Sequence, residues 1–149
     1  MKRSILLVLM MLPIMAMAQL PQFAKLNEKY DGMEGVTAMT INKQMISMFV
    51  GSNADFKFVD EVQILLSEDA DVAAGVVKDA KKAVKKSKLE ELISANDEGA
   101  IYTIYTKTVN DIIKNLVIIV ENDSPSGFIV ISGDITQDKI SEVIKIANM

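Results

Sequence analysis

Three pairs of neighbouring acids, Asp31 with Glu34, Glu90 with Glu91 and Asp134 with Asp138, are the side chains best suited by type to chemistry. Two carboxyl groups facing one cleft can hydrolyse a glycosidic bond without histidine when they stand about 5 to 9.5 Å apart. None of these pairs sits in a recognisable motif, and neighbours along a strand point to opposite faces. Glu68, Asp69 and Asp71 offer oxygen ligands for calcium, but the segment lacks the alternating spacing, central glycine and closing glutamate of a calcium loop. They read as acids at a helix start. Lys78, Lys81, Lys82, Lys85, Lys86 and Lys88 form a basic stripe of the kind that meets nucleic acid or anionic lipid. The chain around them is acidic, with 20 Asp and Glu against 16 Lys and Arg, so the stripe reads as a solvated helix face. Gly133-Asp134-Ile135 reads as a glycine turn followed by a first-turn acid.

The missing residue types weigh more. The chain has no cysteine, histidine or tryptophan, and its one arginine is Arg3. Thiol nucleophiles, imidazole bases, Cys/His zinc sites and a disulfide framework are excluded. A guanidinium clamp outside the first few residues is excluded too. There is no Gly-x-Ser-x-Gly elbow, no Ser-x-x-Lys and no glycine-rich phosphate loop. The inventory predicts a protein that is not an enzyme and holds no cofactor or metal.

Met1-Lys2-Arg3 is a short positive segment, followed by the apolar run Ile5 to Leu12 and the small-residue pattern Ala16-Met17-Ala18. These are the parts of a secretory signal peptide over residues 1–18, with cleavage expected between Ala18 and Gln19. Ile5 to Ala18 is shorter than the roughly 20 residues that span a bilayer, and Gln19 stands where a lipoprotein would carry its acylated cysteine. The expectation is a soluble exported domain over residues 19–149 with no stable membrane anchor. Without disulfides its core must hold it, which a chain of this size can do by burying about two-thirds of its unfolded surface.

The elements follow from periodicity. Phe23, Leu26 and Tyr30 share one face of a helix from Pro21 to Tyr30, which Asp31-Gly32 can end. Val36 to Ile41 is a β-branched strand. Asn42 can cap a short helix from Lys43 to Phe49, with Met45, Ile46 and Phe49 as its inner stripe, and Gly51-Ser52-Asn53 forms a loop. Phe56 to Leu66 contains a second strand, best placed at Val62 to Leu66. The longest helix, about Asp71 to Ser87, carries the stripe Val72, Ala73, Val76, Val77, Ala80, Ala83 and Val84. Strands then read at Glu90 to Ala95, Ile101 to Thr106, Ile112 to Glu121 and Phe128 to Ser132. Thr136 can cap a final helix through Ile140, Val143, Ile144 and Ala147. Four successive strands with short turns predict an antiparallel meander, and with two earlier strands and helices mainly on one face the class is α+β.

A turn at Val109-Asn110 puts Tyr102 opposite Val117 and Thr103 opposite Leu116. One face then gathers Tyr102, Ile104, Val117, Ile119, Ile129 and Ile131. The other gathers Ile101, Thr103, Tyr105, Leu116, Ile118, Val120, Phe128 and Val130. A one-residue slip exchanges a strand's two sets, yet both faces stay apolar under any register. Something must cover the second face: the N-terminal helix, a long loop or a partner. The candidate interaction face is Tyr105, Leu116, Ile118, Phe128 and Val130.

Gly35-Val36 with the strand through Ile41, Asn42-Lys43 and Met48-Phe49 form the first part of a longer pattern. Leu89-Glu90-Glu91-Leu92-Ile93, Asp97-Glu98-Gly99, Ile101 to Lys107, Ile113-Lys114 before Leu116-Val117, and Ile131-Ser132-Gly133-Asp134-Ile135 continue it. In this order and spacing the chain resembles the exported envelope proteins of Bacteroidetes grouped as domain of unknown function 4252. The resemblance implies a small α+β envelope domain without catalytic residues to carry over, and a Gram-negative host, hence a periplasmic or secreted location. The functional expectation is a non-catalytic domain that binds an envelope protein or a second copy of itself, and no nucleic acid. A periplasmic carrier of a small apolar ligand stands second, with an enclosed cavity of several hundred Å³ as its signature; a carboxylate-based hydrolase stands third.

Overall fold

The structure, a computed structural model, describes residues 20–50 and 58–140. The expected leader, its cleavage point at Ala18 and Gln19, the loop Gly51-Ser52-Asn53 and the later apolar positions Val143, Ile144 and Ala147 lie outside them. Helix α1 spans Pro21–Tyr30 and strand β1 Val36–Asn42; helix α2 spans Lys43–Val50 and strand β2 Val59–Ser67. Helix α3 spans Ala70–Lys86. Strands β3 (Glu90–Asp97), β4 (Ala100–Val109), β5 (Ile112–Glu121) and β6 (Ser126–Ile135) complete the sheet, and a 3-10 turn follows at Gln137–Lys139. The fold is α+β: six strands in the order β1-β2-β6-β5-β4-β3, every pair antiparallel. The meander β3 to β6 is therefore present, and α3 carries the chain from β2 to the far edge strand β3.

Both faces of the sheet are apolar. On the first, Leu65, Val117, Ile119, Phe128 and Val130 pack under α1 and α3, whose Phe23, Tyr30, Val76, Ala80 and Val84 complete the core. Phe23 meets Phe128 edge-on with ring centroids 5.1 Å apart, a favoured aromatic geometry. The buried Gln63 side chain donates to the Phe23 carbonyl at 2.6 Å and ties α1 to the sheet. Asp69 caps α3, its carboxylate accepting from the backbone N–H groups of Asp71 and Val72. Gly75, midway along α3, leaves room for the Tyr30 hydroxyl: a Cβ there would stand 3.2 Å from it.

The second face carries its own core of Val62, Ile104, Ile113, Leu116, Ile118, Val120 and Ile131, with Ile46 of α2, Phe58 and Ile140 packed against it. The N-terminal helix does not cover this face; α1 lies beside α3 on the first. Cross-strand partners make one unbroken apolar row across all six strands: Met39, Ile64, Ile129, Ile118, Ile104 and Ile93. Burial is deepest in the middle, with Ile118 5% and Ile104 8% exposed, against 46% for Met39 and 52% for Ile93 at the edges.

The register of β4 on β5 differs from the expected one by three residues: Tyr102 pairs with Val120 and Thr103 with Ile119. Two features account for it. The turn is centred on Asn110 and Asp111, which both adopt positive φ and place Val109 opposite Ile112, the backbone of a tight two-residue hairpin. A bulge then leaves Lys114 unpaired, since Thr108 pairs with Ile113 and Lys107 with Asn115. The odd total exchanges the two faces of β5. The Gly133-Asp134-Ile135 turn is likewise corrected, because these residues belong to β6. Asp134 donates its N–H to the Phe58 carbonyl. A Cβ at Gly133 would stand 2.0 Å from that carbonyl oxygen, so close approach rather than turning requires the glycine.

Candidate functional site

The five residues expected to form an interaction face do not share one. Tyr105, Phe128 and Val130 belong to the helix-covered core, whereas Leu116 and Ile118 lie on the opposite side. All but the half-buried Tyr105 are buried. The bulge at Lys114 is the physical reason, and these side chains hold the sheet rather than presenting a surface.

Several of the other sequence candidates have structural partners. Asp134 forms an ion pair with Lys114, and the Thr136 side chain holds the Asp138 carboxyl below the usual range. Glu90 and Glu91 pair with Thr106 and Tyr105 on opposite faces of β3. Within the lysine stripe, Lys81 meets Glu121 at 2.7 Å. Asp79, on the same helix, accepts from the Tyr30 hydroxyl at 2.6 Å and from Lys29 at 2.8 Å. Burial pushes Asp79 upward, but these two donors outweigh it and hold the carboxyl below its ordinary value. Burial first, and the bond to Asp79 second, raise Tyr30.

A cleft of about 450 Å³ runs between α3 and the β5–β6 turn, lined by small residues such as Ala70 and Ala73 and by Lys78, Lys81, Glu121 and Asp123. Glu121 and Asp123 are an acid pair that sequence neighbours alone do not single out. Each is already engaged, Glu121 by Lys81 and Asp123 by the Tyr102 hydroxyl at 3.0 Å. The open, charged rim suits an apolar ligand poorly.

A different surface stands out at the β1 end of the sheet. The turn before β1 places Met33, with the Val36 N–H donating to its carbonyl. Strand β1, Val-Thr-Ala-Met-Thr-Ile-Asn, has no charge and no proline, and it pairs with β2 without a register shift from Val36 to Asn42. Asn42 ends the strand and caps α2, its side-chain oxygen accepting from the Met45 N–H at 2.9 Å. The helix therefore folds directly off the strand. It turns Ile46 into the second core, packs against β1 and β2, and is pinned by Lys43 to Asp60. Met45 is exposed rather than part of the inner stripe, and Met48 is 79% exposed; the Phe49 side chain lies outside the description.

All four methionines among the described residues are thus exposed: Met33 in the turn before β1, Met39 on the strand, and Met45 and Met48 on α2. Methionine is flexible and polarizable, and it is favoured on surfaces that adapt to partners. Edge strands expose unpaired N–H and C=O groups, which natural sheets normally guard with charge, proline or a bulge. Strand β1 has none of these. The sequence signal that marks this site is a charge-free β-branched run embedded in a cluster of methionines.

Among the described residues no helix is long and apolar enough to cross a membrane. No curated protein and no solved structure matches the chain. The family model described as Domain of unknown function (DUF4252) matches residues 30–143. The chain belongs to that family.

Proposed function

We propose that this member of the DUF4252 family is an exported, non-catalytic interaction domain that docks proteins by strand addition at the β1–α2 edge. The observation that carries this reading is the unguarded edge: seven uncharged, unbulged residues, with Met39 exposed among them and Met45 and Met48 exposed on the helix that folds directly off the strand. Strand addition draws affinity from main-chain hydrogen bonds and selectivity from alternate side chains. Here Thr37 and Met39 stand exposed beside the half-buried Ile41 on the second face, with α2 on the same side. The tripartite leader supports export and work in the periplasm or outside the cell. The lack of histidine, cysteine and, after cleavage, arginine supports a role performed by shape rather than by chemistry.

The test is a photoreactive side chain placed at Met39 in one variant and at the exposed Lys85 of α3 in another, illuminated in the native envelope. Adducts from position 39 and none from position 85 are expected. Adducts from 85 alone, or from neither, would sink the edge reading. A mature protein beginning at Gln19 in the periplasmic or extracellular fraction tests export separately.

A further inference from the structure

Met39 is the midpoint of β1, and the strand is self-complementary about it. We infer that the partner at this edge is a second copy of the chain, whose β1 runs antiparallel with Met39 opposite Met39. This rests on the edge reading above and names its occupant. A two-fold axis at that point sets Val36 against Asn42, Thr37 against Ile41 and Ala38 against Thr40, each pair occurring twice. No pair brings charge against charge, because the strand has no charged residue.

Beyond the strand ends the same axis brings Glu34 of one copy toward the start of the other's α2, where Lys43 pairs with its own Asp60 at 3.2 Å and keeps further ammonium donors for an incoming carboxylate. The same contact recurs at the other end, because an isologous interface repeats every contact twice. Directly opposed residues of antiparallel strands share a face. The apolar row that ends on half-exposed Met39 would continue into the partner's Met39 and Ile64, and the sheet would become twelve strands long. The two α2 helices would lie on one side of the seam, with the exposed Met45 and Met48 beside it.

The opposite edge cannot do this. In β3 a bulge leaves Leu92 unpaired between Glu91 and Ile93, and the strand carries Glu90, Glu91 and Asp97. Antiparallel self-pairing about its centre, between Ile93 and Ser94, would set Glu90 against Asp97, and like charges directly opposite repel.

The chain lacks cysteine, so a single introduced thiol reports cleanly. Paired Cα atoms across an antiparallel seam stand about 4.5 to 5.5 Å apart, within reach of a disulfide. Purified mature protein is expected to be a dimer by light scattering. Met39→Cys should give a disulfide-linked dimer on mild oxidation, whereas Ala95→Cys on β3 should not. Met39→Lys, which opposes two ammonium groups, should weaken dimerisation by at least about tenfold while the circular dichroism spectrum is kept. If that variant fails to fold, the cysteine pair still decides the matter. A monomer that crosslinks to a different envelope protein through position 39 overturns the second-copy inference and spares the edge reading. A monomer silent at that position overturns both. A dimer that crosslinks through position 95 instead overturns the placement.

Discussion

Strands β1 and β3 close the two ends of one sheet, and both leave large apolar side chains in solvent, Met39 on one and Leu92 with Ile93 on the other. They differ in how the backbone edge is treated. β3 is bent by the Leu92 bulge and carries three acids, so an incoming strand meets an irregular ladder and negative charge. β1 is regular and neutral. Exposed apolar area is therefore common to both edges and does not distinguish them. The usual guards against edge pairing do distinguish them, and among the described residues they are missing at one edge only.

The comparison can be broken at its root by separating β1 and β2 from the meander. Gly127 lies where β6 passes β2, and a Cβ there would stand 2.0 Å from the Leu65 carbonyl oxygen. Gly127→Ala is expected to cost about 3 kcal/mol in urea unfolding, since neither strand can yield without breaking the ladder. Hydrogen exchange should show β1 and β2 losing protection before β3 and β4.

A smaller effect is expected on the helix-covered face. Tyr30→Phe removes the donor to Asp79 and should lower stability by about 1 kcal/mol in the same measurement, with both edges unchanged. The pH dependence of this cluster has a definite sign. Asp79 is held low in the folded state, so its contribution is present above the ordinary carboxylate value and is lost as pH falls through the lower folded value. Tyr30 is raised, so its contribution holds below the ordinary phenol value and fades as pH rises through the higher folded one. Acid titration of the urea midpoint should flatten in Asp79→Asn.

The smallest change in stability sharpens the comparison most. Deleting Leu92 together with Glu90→Thr and Glu91→Thr straightens β3 and removes two of its acids. Stability should change by no more than about 1 kcal/mol, because these positions are exposed. Self-association by light scattering should nevertheless rise, by creation of a second unguarded edge. If it does not, bulge and charge are not what separates the two ends.

Much of this architecture is legible in the residues. The helix from Pro21 to Tyr30, the Asn42 cap, the α3 stripe and the four-strand meander all follow from spacing, and the two-sided apolar character of Leu116 to Val120 forecasts two cores. Strand ends are less legible. β2 begins at Val59 rather than Val62, because its pairing to β6 shifts between Val59 and Glu61 and interrupts the alternation. The faces of β5 are lost to one unpaired residue, Lys114, since hydrophobic pattern is blind to which of two neighbours a bulge will leave out. The Asn110-Asp111 turn carries a usable signal, two residues that tolerate positive φ. The exposure of Met45 is missed for a different reason. Met45 fits the helical stripe beside Ile46, and periodicity assigns both to the core although α2 turns only Ile46 inward.

The bond from Gln63 to the Phe23 carbonyl bears on where this protein can be cut. The family match begins at Tyr30, and a fragment trimmed to that span would discard Phe23 with the rest of α1. Phe128 and its apolar neighbours would then meet water and the Gln63 bond would be lost, which removes several kcal/mol of burial. A stably folded piece is therefore expected to start upstream of the residues the family model matches.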